Sequence, residues 1–448
     1  MTRRNFILLI IVLVIVTISI FGYFSFSKKG NLMPDEGGTN FFFDFNPFNN
    51  KGKTPDSTDP TDVSGYVPPD ENGEVRNMKL MKVSSMPVAG YGIFMKERFK
   101  EVPAIVAGEA TNVAEPTAEG SKSATSKPVA PMTEFVPAVR YVARATGNIY
   151  QTFVDKVDER KFSNTIIPKV YEAYFGNKAE SVIMRYLKED ERTIVTFIGS
   201  LPKEYLGSDT ATDNEIKGSF LPDNIKDLVL SPDSSSIFYL LNNKDGAIGV
   251  TSGTLGEKKT QVFDSSFTEW LSSWPSSKMI TINSKPSGLF PGYVYSIDPS
   301  KKDLTRILGG INGLTTLGSP NGKLILYGDN NLLLNVYNVD NGEIEQIGVK
   351  TLPEKCIWGS VSDVLYCAVP RTIGGGMYPD SWYKGEVSFS DEIWRIDLNT
   401  GNTTKMADPV SVEGGMEIDG IKLGLDSEEN YLFFINKKDS YLWKLNLK

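Results

Sequence analysis

The sequence predicts an all-β chain: a single β-propeller of seven four-stranded blades, preceded by one transmembrane helix and a disordered tether. The propeller is predicted by a proline-containing turn that recurs at intervals of one blade length, each time followed by an apolar strand. The transmembrane helix is predicted by one uncharged apolar run near the N-terminus. We divide the 448 residues into an anchor at 1–29, a flexible linker at 30–75 and a propeller at 76–448. A disordered, Ala- and Thr-rich insertion is expected within the first blade, at about 101–134.

The repeated turn is the main support for the propeller. Pro232, Pro275 and Pro320 lie 43 and 45 residues apart, the length of a four-stranded blade, and an apolar run follows each of them. Proline fixes φ at the second turn position, and Asp, Asn, Ser or Gly tolerate the remaining turn geometry. The later strands Val294–Asp298, Val336–Asp340 and Ile393–Asp397 alternate apolar and polar residues, as half-buried strands do.

These motifs resemble the repeat of the bacterial TolB-like, WD-repeat-like propeller family, in which Ser-Pro-Asp-Gly precedes the second strand. Here the matching residues are Ser231–Ser234 and Ser319–Gly322, and the resemblance covers 225–448 well and 76–203 loosely. It departs from the pattern at Ser360–Asp363 and Leu425–Ser427. The resemblance implies an extracytoplasmic binding domain with no conserved chemistry, because this fold carries both scaffolds and enzymes.

The pattern places blades near 87–165, 166–203, 225–263, 267–308, 311–349, 352–409 and 417–448. The last of these contains only three strands, and a propeller closes without a bare edge. We expect the run Arg76–Ser84 to supply the fourth strand, which gives seven blades. Six or eight blades are the alternatives, because the first two blades are weakly marked.

The apolar run near the N-terminus is long enough for a membrane span. Residues 6–27 carry no charge and end in aromatic side chains, and about 20 residues cross the hydrocarbon core. A cleaved signal peptide, the alternative, has a shorter apolar region followed by small residues. Two arginines at 3–4 precede this run and two lysines at 28–29 follow it, so the positive charges on its two sides nearly balance. We therefore expect the usual orientation of a signal anchor, with the N-terminus in the cytoplasm and the propeller outside.

Composition excludes several classes of activity. The chain has no histidine, which removes Ser-His-Asp triads, Cys-His dyads and histidine-ligated zinc sites. Its net charge is −8 without a basic face, so a nucleic-acid partner is not expected. Carboxylate-only catalysis and oxygen-ligated calcium remain open, and no other cofactor is expected.

Alternation of strand direction predicts where binding residues lie. Connections between second and third strands share one face of a propeller with the connections between blades. The long connections at 203–221, 283–293 and 370–390 are therefore expected together, and Glu204 and the other carboxylates of the first are expected to be solvated. The candidate binding residues on this face are Tyr378, Asp380, Trp382, Tyr383 and Glu386, with Phe290 and Tyr293 as a weaker group. The alternative is that these aromatic rings fold back and cover the propeller rim.

Cys356 and Cys367 are the only two cysteines. A two-residue turn centred on Val361-Ser362 pairs Ser360 with Asp363, and the same register sets the cysteines directly opposite on adjacent strands. A disulfide is the expectation in an oxidising compartment, and two buried thiols are the alternative.

The leading hypothesis is a membrane-anchored, extracytoplasmic module that binds protein or glycan in the cell envelope without catalysis. The alternative is a propeller hydrolase or lyase that depends on carboxylates or on calcium. The lack of histidine and of a marked carboxylate pair favours the first.

Overall fold

Seven antiparallel sheets of four strands each make up the domain. The computed structural model describes residues 79–100, 132–156, 158–206, 214–412 and 415–448. The predicted all-β propeller of seven blades is confirmed. The anchor and linker predicted for residues 1–75, and most of the insertion predicted at about 101–134, lie outside the described residues. No helix within the described ranges is long and apolar enough to cross a membrane.

The strands are numbered along the chain, beginning with β1 (Leu80–Lys82). Blades one to three consist of β2 (Val88–Phe99), β3 (Thr133–Ala143), β4 (Ile149–Phe153), β5 (Arg160–Lys161), β6 (Val170–Gly176), β7 (Ser181–Leu187), β8 (Ile194–Ser200), β9 (Lys217–Phe220), β10 (Asp227–Leu230), β11 (Ser236–Asn243), β12 (Gly246–Gly253) and β13 (Thr260–Ser265). Blades four to six consist of β14 (Trp270–Ser276), β15 (Met279–Ser284), β16 (Pro291–Ile297), β17 (Leu304–Asn312), β18 (Thr315–Gly318), β19 (Leu324–Gly328), β20 (Leu333–Asn338), β21 (Ile344–Lys350), β22 (Cys356–Trp358), β23 (Val364–Pro370), β24 (Asp391–Asp397) and β25 (Thr403–Ala407). Blade seven consists of β26 (Gly420–Leu425), β27 (Tyr431–Asn436), β28 (Leu442–Asn446) and β1. A 3₁₀ turn at Pro353–Lys355 precedes blade six, and a single-turn helix, α1 (Asp380–Tyr383), lies within it.

The Ser-Pro-Asp turn of blade three shows why the repeat is spaced as it is. The Ser231 hydroxyl donates to the Asp233 carboxylate at 2.6 Å and accepts from the Ser236 backbone N–H at 2.9 Å. Ser234 takes the left-handed conformation, with φ of 58°. Side chains of the motif therefore satisfy the backbone of the turn and start β11 at a fixed position. Blade five repeats this arrangement with Ser319 and Asn321.

Blade seven closes with the strand from the beginning of the domain. Leu80 of β1 stands opposite Leu445 of β28 in an antiparallel pair. Both side chains are buried in one apolar cluster with Leu432 and Ile393, which joins blade seven to blade six. The expectation that Arg76–Ser84 supplies the fourth strand is confirmed for its described part, because Leu80–Lys82 forms that strand.

Blade two corrects the predicted boundaries. Its fourth strand, β9, follows the long connection after β8 and pairs with it from Phe197↔Phe220 to Ser200↔Lys217. Blade two therefore ends near 220 rather than 203, and the segment 203–221 does not connect two blades. The strand Lys217-Gly-Ser-Phe220 is short, all four residues are exposed, and its sequence lacks the apolar alternation that marks the other strands.

Blade four also differs from the repeat pattern. Pro275 lies inside β14 rather than after it, at a break in register between Ser273 and Ser276. Proline cannot donate to a ladder, and such an irregularity is one of the few places in a sheet that accepts it. Its ring occupies the space beside Gly318 of the next blade, where a Cβ atom would lie 2.5 Å from Pro275 Cγ.

The core lies between neighbouring blades rather than within one. The cluster between blades two and three contains Ile183, Ile198, Leu228, Ile237 and Tyr239, all at most 1% exposed. Similar clusters follow around the domain, and the one that contains Val139, Tyr141, Phe433 and Leu442 joins blade one to blade seven. Because each sheet buries both faces against its neighbours, loss of one blade exposes apolar surface on two others.

The first hairpin of blade six carries both cysteines. Cys356 stands opposite Cys367 and Ile357 opposite Tyr366, which is the register that a turn at 360–363 predicts. A disulfide joins the two sulfur atoms, and the Cα atoms are 4.0 Å apart. Both residues are buried, with 5% and 0% exposure, in the cluster between blades five and six.

Candidate functional site

The aromatic residues of the blade-six loop fill a small core. Tyr378 and Trp382 are each 5% exposed, and both rings stack on buried Phe389, with centroids 5.8 Å and 6.4 Å away. Leu332 and Leu352 complete the cluster. Tyr378 and Trp382 therefore fold back onto the propeller, as the alternative interpretation of the sequence predicts. They hold the loop in place and have little contact with solvent.

Asp380, at the start of α1, holds two long loops together. Its carboxylate accepts a hydrogen bond from the backbone N–H of Gly288, in the blade-four loop, at 2.6 Å. A Cβ atom at Gly288 would lie 2.6 Å from the Tyr378 carbonyl oxygen, so only glycine permits this approach. The sequence prediction that these two loops share a face is correct, and we call this side face A.

A buried ion cluster lies beneath α1. Lys355 is fully buried and donates to the carboxylate of Asp391 at 2.7 Å and to that of Asp419. The Trp382 indole N–H donates to Asp419 at 3.0 Å. Burial raises the pKa of Asp391 to about 6, against the opposing charge of Lys355. One cation between two carboxylates, closed over by an indole, fixes the position of α1 against blades six and seven.

The other predicted residues of face A are more accessible. Phe290 is 69% exposed and Tyr383 is 40% exposed, whereas Tyr293 is half-buried and Glu386 lies in solvent. The Tyr383 hydroxyl donates to Glu354, whose pKa burial raises to about 7. Tyr383 is the last residue of α1, and Tyr293 lies in β16 rather than in the blade-four loop in which the sequence predicts it.

The connection at 203–221 lies on the opposite face from the one that the sequence predicts. Since it links β8 to β9, the third and fourth strands of blade two, alternation of strand direction puts it on the side opposite face A, which we call face B. Glu204 belongs to this connection, and its side chain is only 12% exposed instead of solvated.

Face B contains a cavity of about 1220 Å³ between blades one and two. Its walls come from the end of β2, the middle of β3, the end of β4, the β6–β7 turn and the segment 200–206. Seven Lys or Arg residues and four Asp or Glu residues line it, although the whole chain carries a net charge of −8. The cavity is therefore a positively charged region on an acidic protein.

Three cations meet at one carboxylate in this cavity. Glu204 accepts from Lys96 at 2.5 Å, from Arg140 at 3.1 Å and from Arg160. We call Lys96, Arg140 and Arg160 the cation triad. Arg140 is the most deeply held of the three: its Nε donates to Gln151 at 2.8 Å, and its guanidinium lies 4.0 Å from the centre of the Phe162 ring.

The positive charges of the triad repel one another. Burial and the charges of Arg160 and Arg140 lower the pKa of Lys96 to about 7. Burial and Arg160 lower the pKa of Arg140 to about 10, although Glu180 opposes this shift. One carboxylate therefore leaves an excess of positive charge in a partly desolvated site, which is the electrostatic setting of an anion-binding site.

Sequence reasoning missed the triad because its members are far apart in the chain. One signal was present: Arg140 is the single charge in the run Pro137–Ala143, whose other members are apolar or aromatic. A charged side chain at a buried strand position is rare unless it has partners, so Arg140 marked a polar site within blade one.

The described ranges hold no group of three or more Cys, Asp or Glu side chains placed to bind a metal ion. The calcium-dependent alternative stays a prediction.

The fold and the cavity define a seven-bladed propeller with a cationic site on face B. No protein-family model matches the chain, and no curated protein matches its sequence. Similar solved structures include an oligogalacturonate lyase in complex with manganese, at 8% identity and a TM-score of 0.44, covering 69% of this chain and 85% of that chain. A functionally unknown protein from Desulfotomaculum acetoxidans DSM 771 is similar at 11% identity and a TM-score of 0.42, covering 69% of this chain and 89% of its own. The resemblance to the TolB-like family stays a prediction.

Proposed function

We propose that this chain is a non-catalytic binding module of the cell envelope, which holds a protein or glycan in the face-B cavity. The cation triad is the observation that carries this proposal. Ligand sites are concave and fix the ligand with polar groups that converge on it, and the cation triad converges in this way inside the cavity between blades one and two. Face A is the less favourable candidate, because Tyr378 and Trp382 are buried there.

The proposed location is the outer side of a membrane, with residues 1–29 as the anchor. The uncharged run at 6–27 supports an anchor. The Cys356–Cys367 disulfide supports an oxidising compartment, since such bonds are rare in the cytosol. Mass spectrometry of the protein from its native membrane, alkylated without reduction, tests the location. A bonded pair is expected, and two alkylated thiols would contradict the proposed location.

Site-specific photo-crosslinking of the full-length chain in its native membrane tests the binding site. A photoreactive residue replaces Met95 or Leu255, which are exposed at the cavity, and in matched controls Phe290 or Met377, which are exposed on face A. We expect one partner to crosslink from both cavity positions and from neither control. Crosslinks from the control positions alone would show that face A binds the partner and would refute the proposal.

The same samples test the non-catalytic part of the proposal. The partner that crosslinks at the cavity is expected to be recovered intact after incubation with the full-length chain. Time-dependent cleavage of this partner would contradict the proposal and favour the hydrolase or lyase alternative.

A further inference from the structure

The contacts of Glu204 point to a ligand class. We propose that the cation triad binds the carboxylate of an acidic residue in a polypeptide partner, and that Glu204 marks the position this carboxylate takes. This inference rests on the proposed function, because it assigns the ligand chemistry of the same cavity.

The balance of charge is the first argument. Lys96, Arg140 and Arg160 all contact the one carboxylate of Glu204. Arg98, the next cation on β2, differs because Glu134 and Asp155 both pair with it, at 2.8 Å and 2.6 Å. Unlike Arg98, the triad therefore keeps surplus positive charge, and it does so where Lys96 and Arg140 are largely buried and an added anion interacts strongly.

The second argument is that the contacts of Glu204 have the geometry that a ligand carboxylate needs. One oxygen accepts from Lys96 and Arg160, and the other accepts from Arg140. Two guanidinium groups and an ammonium group thus bind both oxygens of one carboxylate, the arrangement that gives strong charge-assisted hydrogen bonds. Glu204 lies on a connection between strands rather than on a strand, so a partner can displace it without breaking a sheet.

The third argument concerns the apolar side chains at the cavity. Met95, Phe99, Leu206 and Leu255 line it and are 38–43% exposed, and Tyr205 is 72% exposed. Met95, Leu206 and Leu255 are aliphatic, and such side chains pack well against the side chains of a polypeptide but offer no hydrogen bonds to the hydroxyl groups of a sugar. An acidic residue flanked by apolar residues therefore fits this cavity better than a glycan with uronic acid groups.

Fluorescence anisotropy with the full-length chain in nanodiscs tests the inference. The probes are a labelled peptide of alternating Leu, Glu, Phe and Asp, its Gln and Asn counterpart, and a labelled uronic-acid oligosaccharide. The acidic peptide is expected to bind at least about tenfold more tightly than its amide counterpart and than the oligosaccharide, which corresponds to about 1.4 kcal/mol. Equal binding of both peptides would overturn the anion site, and preferential binding of the oligosaccharide would overturn the polypeptide assignment.

Two variants test the triad directly. Glu204→Gln removes the competing charge and is expected to tighten binding of the acidic peptide about tenfold. Arg160→Gln is expected to weaken it about tenfold, and Arg160→Lys is expected to recover part of the loss. Lys244→Gln is the matched control, because Lys244 is an exposed cation in the turn between β11 and β12 and does not line the cavity.

The melting temperature of each variant shows whether it has folded. Unchanged affinity in folded Glu204→Gln and Arg160→Gln proteins would overturn the inference. If cavity crosslinks persist in that case, the proposed function stands without it. If the cavity positions give no crosslinked partner even in a chain with the natural triad and Glu204, the proposed function itself is refuted.

Discussion

Closure of blade seven by β1 predicts that Leu80 contributes strongly to stability although it lies near the start of the domain. Leu80 is 6% exposed and packs with Leu445 and Leu432, which are both fully buried. Replacement of a buried leucine by alanine costs about 2–5 kcal/mol, and we expect about 3 kcal/mol for Leu80→Ala. For a domain of about 370 residues the unfolding entropy is about 0.8 kcal/mol/K, so the melting temperature should fall by about 4 °C.

Differential scanning calorimetry of the full-length chain measures this shift, and Met81→Ala is the matched control. Met81 is the next residue of the same strand, is half-buried and points to the other side of the sheet. We expect Met81→Ala to lower the melting temperature by about 1 °C. A Leu80→Ala protein that melts with the wild type, or no earlier than Met81→Ala, would refute closure by β1.

Three further predictions concern blade six and the residues packed against it. Burial raises the pKa of Glu354 to about 7, so between pH 4.5 and about pH 7 the native state keeps a proton that the unfolded chain has released. The free energy of unfolding should therefore fall by about 3 kcal/mol as the pH rises through this range. Glu354→Gln should lack this part of the pH dependence. Thermal melts of the two proteins from pH 4.5 to 8 test this, and a difference in melting temperature that stays constant with pH would contradict it. Reduction of the Cys356–Cys367 disulfide should cost about 3 kcal/mol, measured by urea unfolding with and without reductant; equal midpoints would count against a stabilising bond. Trp382→Phe removes the donor to buried Asp419 and should cost about 1–3 kcal/mol, measured the same way, and a neutral result would mean that the indole N–H does not hold the cluster.

The blades could be predicted because the chemistry that starts each strand is local. Ser231 and Asp233 satisfy the backbone of their own turn, so five consecutive residues determine where β11 begins. The cysteine register followed for the same reason, since one short hairpin sets it. By contrast, β9 pairs with a strand 17 positions back across a long connection, and its four exposed residues carry no apolar pattern.

The candidate site could not be predicted because it depends on contacts distant in sequence. Lys96, Arg140 and Arg160 come from three strands of blade one, and Glu204 comes from blade two. Lys96, Arg160 and Glu204 each have the sequence pattern of a solvated surface charge, and Arg140 alone differs, as a single charge in an apolar run. The aromatic loop was the opposite case: its residues were adjacent and conspicuous, but α1 turns Trp382 inward onto Phe389, and local sequence does not show this direction.

The proposed cavity site can be tested most directly by hydrogen–deuterium exchange of the full-length chain with and without the acidic peptide. We expect slower exchange in the segments that carry the cavity, 94–99 and 200–206, and unchanged exchange in the face-A segment 371–390. In Arg160→Gln the protection should disappear at the same peptide concentration. Protection confined to 371–390 would contradict the cavity as the binding site and would show that the peptide binds the aromatic loop of blade six.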